Sequence, residues 1–211
     1  MARYVDPVCK LCRREGIKLY LKGARCDSPK CAIDRRKSAP GMHGAKRAKL
    51  SEYAVRLREK QKLKRFYGLL EAQFRRVFQI ASRSPANTGE VLLSLMERRL
   101  DNVVHRLGFA PSRRAARQIV SHGHISVNGH YVNVPSFICR AGDVITVKNR
   151  KGSRALVKLF LSDSAPKPPD YLERVSADPP EGRLLRLPSR DDVDPHIKDI
   201  NEQLIIEISA R

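Results

Sequence analysis

The clearest periodicity of hydrophobic and polar residues lies between residues 97 and 134. Apolar side chains recur at the i, i+3, i+4, i+7 spacing of an amphipathic helix, at Leu100, Val103, Val104 and Leu107. The chain restarts at Ser112, whose hydroxyl can cap a second helix by accepting from a free first-turn amide. We therefore predict two consecutive helices joined by a short turn.

A hairpin is predicted directly after the second helix. Residues 124–127 alternate between polar and apolar side chains, as in a half-buried strand. Asn128-Gly129 readily adopts the two positive φ angles of a tight turn, and residues 131–134 return as a second strand. With a further strand predicted at 144–147, residues 97–162 are predicted to form a small α/β module of two helices packed on a short antiparallel sheet.

The second helix of this module predicts a cationic edge. Its apolar positions stack at i, i+4, which leaves Arg113, Arg114 and Arg117 facing water or a partner. A stiff platform that presents three arginines suits a phosphate backbone. We predict that these arginines bind RNA, together with His122 and His124 just beyond the helix.

The remaining chain is predicted to be mostly helical before the module and irregular after it. Helices are expected at 53–68, 69–81 and from 91, with Ser51 as the cap of the first, and at 155–161. Residues 163–182 contain five prolines and are predicted to be an irregular connection. Residues 184–187 and 204–208 are predicted to be strands.

These elements predict an α+β fold with four segments. Residues 1–45 form a zinc-binding segment and basic connector, and residues 46–96 form a helical domain. The α/β module at 97–162 follows. A proline-rich connection with acidic C-terminal strands, residues 163–211, is expected to complete the helical domain in space.

Charge points to a polyanionic partner. The formal net charge is +20. Residues 1–80 carry 22 basic and 7 acidic side chains, residues 81–160 carry 13 and 4, and residues 161–211 carry 7 and 11. Such a field attracts polyanions, so the first three quarters of the chain are predicted to be the binding surface. Because aromatic residues are only 6% and Trp is absent, we expect folded, largely double-helical RNA and not unpaired strands, whose readers stack bases on rings.

The helix after Ser51 is unusually cationic. Only Glu52 and Glu59 balance its six cations, and their self-repulsion would cost stability without a polyanion nearby. A solvated charged face is the alternative interpretation. We predict that the six cations of this helix bind RNA. They are Arg56, Arg58, Lys60, Lys62, Lys64 and Arg65. The predicted RNA-binding set also contains Arg3, Arg13 and Arg14.

Four cysteines near the N-terminus predict a metal site. Cys9, Cys12, Cys26 and Cys31 form a C-x2-C-x13-C-x4-C pattern, which suits tetrahedral zinc. Nearby cations would stabilise the thiolates, and a metal could fix a segment too polar to fold on its own core. Two disulfides, an iron–sulfur cluster or unliganded thiols are the alternatives. Cys139 is predicted to be a small buried hydrophobe.

Several function classes are excluded by what the sequence lacks. No export signal is expected at the N-terminus, and no stretch approaches the roughly 20 apolar residues that span a bilayer. We therefore expect no membrane partner. The sequence has no phosphate-binding G-x-x-x-x-G-K, nucleophile elbow or metallohydrolase histidine pair. An enzyme is therefore not expected.

Specific blocks of sequence resemble a known family nearly from end to end. They are MARYVDPVCKLCRREG at 1–16, PGMHG at 40–44, SEYAVRLREKQKLKRFYG at 51–68, RLDNVVHRLGF at 99–109, SRRAARQIVSHGHISVNG at 112–129 and INEQLIIE at 200–207. The chain resembles the bacterial-type fourth protein of the small ribosomal subunit, in its zinc-bearing form. Some relatives lack the four cysteines, so zinc follows from this chain's own spacing.

The resemblance implies a function and partners. It implies a non-enzymatic constituent of the small ribosomal subunit in the cytoplasm. This constituent binds small-subunit ribosomal RNA early in assembly, where several RNA helices meet, and supports translational fidelity. It also implies that Lys46, Arg47 and Lys49 lie near the channel where messenger RNA enters. The C-terminal region is expected to contact neighbouring small-subunit proteins, including protein five.

Two other classes share the arginine-helix module. Pseudouridine synthases and a tRNA synthetase carry a similar module, and the synthases place a catalytic Asp in a G-R-L-D stretch. Here Glu97-Arg98 precede Arg99-Leu100-Asp101, so Asp101 is predicted to be a helix-surface carboxylate pairing with an Arg. A regulator that binds structured RNA in free form would have the same residues, and only its partners would distinguish it.

Overall fold

The computed structural model of the protein describes residues 3–44, 49–161 and 167–210. Lys46 and Arg47 lie outside these ranges. The helices are α1 (Cys9–Glu15), α2 (Ala32–Arg35), α3 (Glu52–Phe66), α4 (Glu71–Ser82), α5 (Thr88–Glu97), α6 (Leu100–Arg106), α7 (Arg113–Ser121), α8 (Lys151–Lys158) and α9 (Glu202–Ser209). The strands are β1 (Ile125–Val127), β2 (His130–Tyr131), β3 (Val144–Val147), β4 (Leu172–Ala177) and β5 (Pro180–Leu184). This content confirms the α+β prediction. None of the described helices has the length and apolarity that crossing a bilayer demands.

The chain folds into two compact units. The helical unit comprises Met1–Leu92 with Asp194–Arg211, and the sheet unit comprises Leu93–Val193. The boundaries of these units differ from those of the segments predicted from the sequence, because β4 and β5 lie in the sheet unit. Only the end of the predicted C-terminal segment, from Asp194, belongs to the helical unit.

The helical unit is built on α3, α4 and α9. Ser51 begins α3 as predicted, because its Oγ accepts a hydrogen bond from the Ala54 amide at 3.3 Å. α3 buries Leu63 and Phe66 and packs against α9. α4 buries four apolar residues at i, i+3, i+4 and i+7, the stripe that its sequence predicts: Phe74, Val77, Phe78 and Ala81.

The strand predicted at 204–208 is wrong, because these residues belong to α9. The Asn201 side chain caps the helix by accepting from the Leu204 amide at 3.2 Å. Periodicity alone cannot separate a short apolar run in a strand from one in a buried helix. The N-cap and the packing of α9 on α3 decide for the helix here.

The sheet unit contains one antiparallel sheet in the order β2-β1-β3-β5-β4. Asn128 (φ +50°) and Gly129 (φ +79°) form the predicted turn between β1 and β2. Ile125, Val127, Ile145 and Val147 are all buried in the same core as the apolar faces of α6 and α7. The predicted two-helix, antiparallel-sheet module is therefore confirmed, but the strand predicted at 131–134 is wrong beyond Tyr131, because β2 is only His130–Tyr131.

The irregular connection predicted at 163–182 is wrong over its second half. Residues 172–184 form the hairpin of β4 and β5, which adds two strands to the sheet beside β3. Pro180 is the first residue of β5, a position where a strand tolerates the missing amide. Of the strand predicted at 184–187, only Leu184 is in a strand.

Candidate nucleic-acid interface

Local sequence places α7 as predicted. The Ser112 Oγ accepts from the Ala115 amide at 3.3 Å and caps the helix. Ala116, Ile119 and Val120 are buried against the core, and Gly123 follows the helix at φ +76°. Glycine adopts this left-handed conformation at little steric cost because it lacks a Cβ, and it is therefore well suited to end a helix. The helix is thus fixed at both ends.

The three arginines of α7 have different environments. Arg114 is exposed, and no partner for it occurs among the described residues. Arg113 is half-buried, and its Nε donates to Asn102 Oδ1 at 2.8 Å. Arg117 is only 6% exposed, with a guanidinium nitrogen 3.5 Å from Asp101 Oδ2. The prediction that Arg117 faces outward is wrong, because α6 supplies a buried carboxylate beneath it.

Asp101 holds two buried guanidinium groups. Arg99 donates to both of its carboxylate oxygens, from Nε at 3.1 Å and from a terminal nitrogen at 2.8 Å. Arg99 is 1% exposed and Asp101 is 4% exposed. Pairing of Asp101 with arginine is therefore confirmed, but its predicted surface position is wrong. A buried carboxylate engaged in this way is structural.

A second buried polar chain positions Arg113. Glu97 is fully buried and accepts from the Asn102 amide at 2.7 Å and from the Tyr171 hydroxyl at 2.8 Å. Asn102 in turn accepts from Arg113. Burial raises the pKa of Tyr171 far above its ordinary value, with the Glu97 charge as the next cause. Tyr171 therefore stays a hydroxyl donor at physiological pH.

The cations of α3 are each paired within the protein. Arg58 and Arg65 both pair with the buried Glu15 carboxylate, and Lys60 and Lys64 both pair with Glu71. Arg56 pairs with Glu52 and Glu207, and Lys62 pairs with Glu59. The reasoning that only two acids balance these six cations is therefore wrong, because Glu15, Glu71 and Glu207 arrive from elsewhere in the chain. RNA binding by α3 stays a prediction that this pairing weakens.

The N-terminal cations that were predicted to bind RNA have different environments. Arg13 donates to the carbonyl oxygens of Ser38 and Ala39, and Arg14 donates to that of Pro40, so both brace the connector. Arg3 and Lys49 are exposed. The predictions for Lys46 and Arg47 concern residues outside the described ranges.

Two cations that lie near the end of α7 were missed by the sequence analysis. Lys148 and Arg150 follow β3, are exposed, and have no ion-pair partner in the described part of the chain. They lie near the two predicted histidines. Burial chiefly lowers the pKa of His124, and the nearby charges of His122, Arg150 and Lys148 lower it further. His124 Nδ1 lies 2.9 Å from the buried Ser153 Oγ. The basic run Lys148-Asn149-Arg150-Lys151 follows a predicted strand, and this run is the signal in the sequence that could have revealed these cations.

The four N-terminal cysteines line one small cavity. It has a volume of about 20 Å³, and Lys22, Arg25 and Lys30 also line it. All four are free thiols. Burial chiefly raises the pKa of Cys12, and the other three thiols raise it further. The donor set suits zinc, but no three His, Cys, Asp or Glu side chains in the described ranges form a group that could hold a metal as they stand.

Comparison with known proteins identifies the relatives. Residues 3–97 match the family model of the ribosomal protein S4/S9 N-terminal domain, and residues 98–145 match that of the S4 domain. Small ribosomal subunit protein uS4 of Pelotomaculum thermopropionicum is 54% identical, and uS4A of Symbiobacterium thermophilum is 53% identical; each alignment covers 100% of both chains. The uS4 protein of Thermus thermophilus is 52% identical over the same coverage. The chain therefore belongs to the family of small ribosomal subunit protein uS4.

Proposed function

We propose that the chain is a structural constituent of the small ribosomal subunit, in the cytoplasm, and binds small-subunit ribosomal RNA. The full-length match to proteins named small ribosomal subunit protein uS4 supports this proposal. Proteins of this family are structural and not enzymatic, in keeping with the expectation from the sequence.

One structural observation carries the RNA-binding part of the proposal. The cations of α3 are neutralised by carboxylates of the same chain, whereas Arg114, Lys148 and Arg150 of the sheet unit are exposed without ion pairs in the described residues. An exposed cation without a protein partner can bind a phosphate without first breaking an ion pair, and its binding releases counterions from the RNA. The sheet unit therefore supplies phosphate contacts on a rigid support.

Finer roles follow from the family resemblance. We propose that the chain binds ribosomal RNA early in subunit assembly and supports fidelity. Lys46, Arg47 and Lys49 are proposed to lie near the path of messenger RNA, and Lys49 is exposed as this requires. The C-terminal region is proposed to contact neighbouring small-subunit proteins, including protein five.

We also propose that Cys9, Cys12, Cys26 and Cys31 bind zinc. Support comes from the single cavity that they line and from their C-x2-C-x13-C-x4-C spacing, which supplies four sulfur donors for tetrahedral zinc. Binding would draw the four sulfurs together and release thiol protons. Elemental analysis of freshly purified, reduced protein tests the proposal. One zinc per chain, lost in Cys12→Ser, is expected, and a metal-free protein would contradict it.

Density-gradient sedimentation tests the main proposal. The purified full chain is mixed with protein-free small-subunit ribosomal RNA at physiological ionic strength. Co-sedimentation at one chain per RNA is expected, with crosslinks in the sheet unit. If the chain stays at the top of the gradient, or binds any RNA of equal length equally well, the proposal fails.

A further inference from the structure

One aromatic ring of the sheet unit is both exposed and held in place. Tyr131 lies on β2, the edge strand, where it pairs with Ser126 of β1. Its side chain remains 55% exposed. The nearby core is complete without it, because Ile125, Val127, Ile145 and Val147 fill the inner face of the sheet. Hydrophobic packing alone therefore does not account for this ring.

Gly123 fixes where the ring lies. The phenol packs so closely on this glycine that a Cβ built there would fall within 2.7 Å of Tyr131 Cζ. The glycine is itself fixed by its left-handed conformation at the end of α7. A ring held against backbone in this way loses little conformational entropy when it binds a ligand. The Tyr131 ring is thus an exposed aromatic surface that is already positioned before a ligand binds.

One cation contacts this ring, and other basic side chains lie near the glycine on which the ring packs. Lys148 Nζ lies 5.4 Å from its centroid, and the Lys148 amide donates to the His124 carbonyl at 2.8 Å, which ties β3 to the end of α7. His122 is exposed beside Gly123, with its ring centroid 6.3 Å from that of His124. Arg150 and Lys148 both act electrostatically on His124. The ligand that suits this place is therefore anionic and has a flat face.

We propose that Tyr131 stacks on one unpaired base of the bound RNA, while Lys148 and Arg150 contact the phosphates next to it. This rests on the proposed function and adds a site for a single bulged or looped-out nucleotide within an otherwise folded RNA. A base can stack on any exposed aromatic face, and neighbouring cations select a nucleic acid over a neutral ring. Lys148 can leave the ring for a phosphate when the base arrives, because its stem is flexible.

Paired variants separate stacking from charge. Binding of the full chain to protein-free small-subunit ribosomal RNA is measured for the wild type, Tyr131→Phe, Tyr131→Leu and Lys148→Ala. Tyr53→Leu is the matched control, since Tyr53 is 60% exposed in the helical unit. We expect Tyr131→Leu to raise the dissociation constant by about 5- to 150-fold at an unchanged salt slope, because base stacking is non-ionic. Tyr131→Phe should bind within about 2-fold of the wild type, and Lys148→Ala should lower the slope by about one.

Each outcome bears on one claim. If the wild type binds and Tyr131→Leu binds equally well, stacking is refuted while the proposed function stands. If the wild type does not bind, the proposed function fails first. Should Tyr131→Leu not fold, ultraviolet crosslinking of the wild-type complex decides, since trypsin releases Tyr131 in the peptide 118–140. A nucleotide attached at Tyr131 supports the site, and crosslinks found only on other residues overturn it.

Discussion

Asp101 offers the sharpest test of how the sheet unit is held together. Asp101→Asn keeps the shape of the side chain and removes its charge. Arg99 and Arg117, which are 1% and 6% exposed, then both lose the carboxylate charge that they contact. Removing one partner of a buried ion pair typically costs about 3–5 kcal/mol, because a buried charge is left uncompensated. We expect a loss of this size in the free energy of unfolding of the sheet unit.

Urea unfolding followed by hydrogen exchange measures this loss. The amides of Ile145 and Val147 in β3 report on the sheet unit, because both residues are buried in its sheet. Asp191→Asn is the matched control: Asp191 is exposed in the same unit, so its change should stay within about 0.5 kcal/mol. Equal losses in the two variants would refute the structural role of Asp101.

Three further predictions concern single side chains. Arg114→Met should lower the salt slope of ribosomal RNA binding by about one, whereas Arg117→Met should leave the slope unchanged because Arg117 is buried; filter binding across salt concentrations distinguishes them. The pKa of His124 is lowered below its ordinary 6.5, so the unfolded chain binds the extra proton and the sheet unit should lose stability as the pH falls through 6.5. This loss should shrink in His124→Gln in urea titrations at several pH values. Burial raises the pKa of Cys139 to about 12, so iodoacetamide should spare Cys139 in the native protein at pH 8 and modify it after unfolding, as peptide mass spectrometry would show.

Local signals in the sequence predicted what local interactions determine. The Ser51 and Ser112 caps, the Asn128-Gly129 turn and the core stripe of α4 depend on neighbours within a few residues, and the structure has all of them. The hairpin β4–β5 depends on a distant partner, β3, and the misassigned helix α9 depends on α3 as well as on its local Asn201 cap. A single short apolar segment does not reveal such a partner.

The interface shows the same division at the level of single charges. The sequence correctly indicates that α7 carries arginines, but it cannot show that Asp101 lies beneath Arg117. Glu15 reaches Arg58 and Arg65 across more than forty residues of chain, so the charge balance of α3 was invisible to a count of its own acids. Whether a cation is exposed without a carboxylate partner is decided by the folded structure and not by the local sequence.

Affinity for folded against unfolded RNA tests the central claim most directly. The full chain is titrated, at physiological ionic strength, with folded small-subunit ribosomal RNA and with an unstructured RNA of the same length. We predict clearly tighter binding to the folded RNA, with log K falling linearly as log salt concentration rises. Equal or tighter binding to the unstructured RNA would contradict the claim that cations on a rigid fold recognise structured ribosomal RNA.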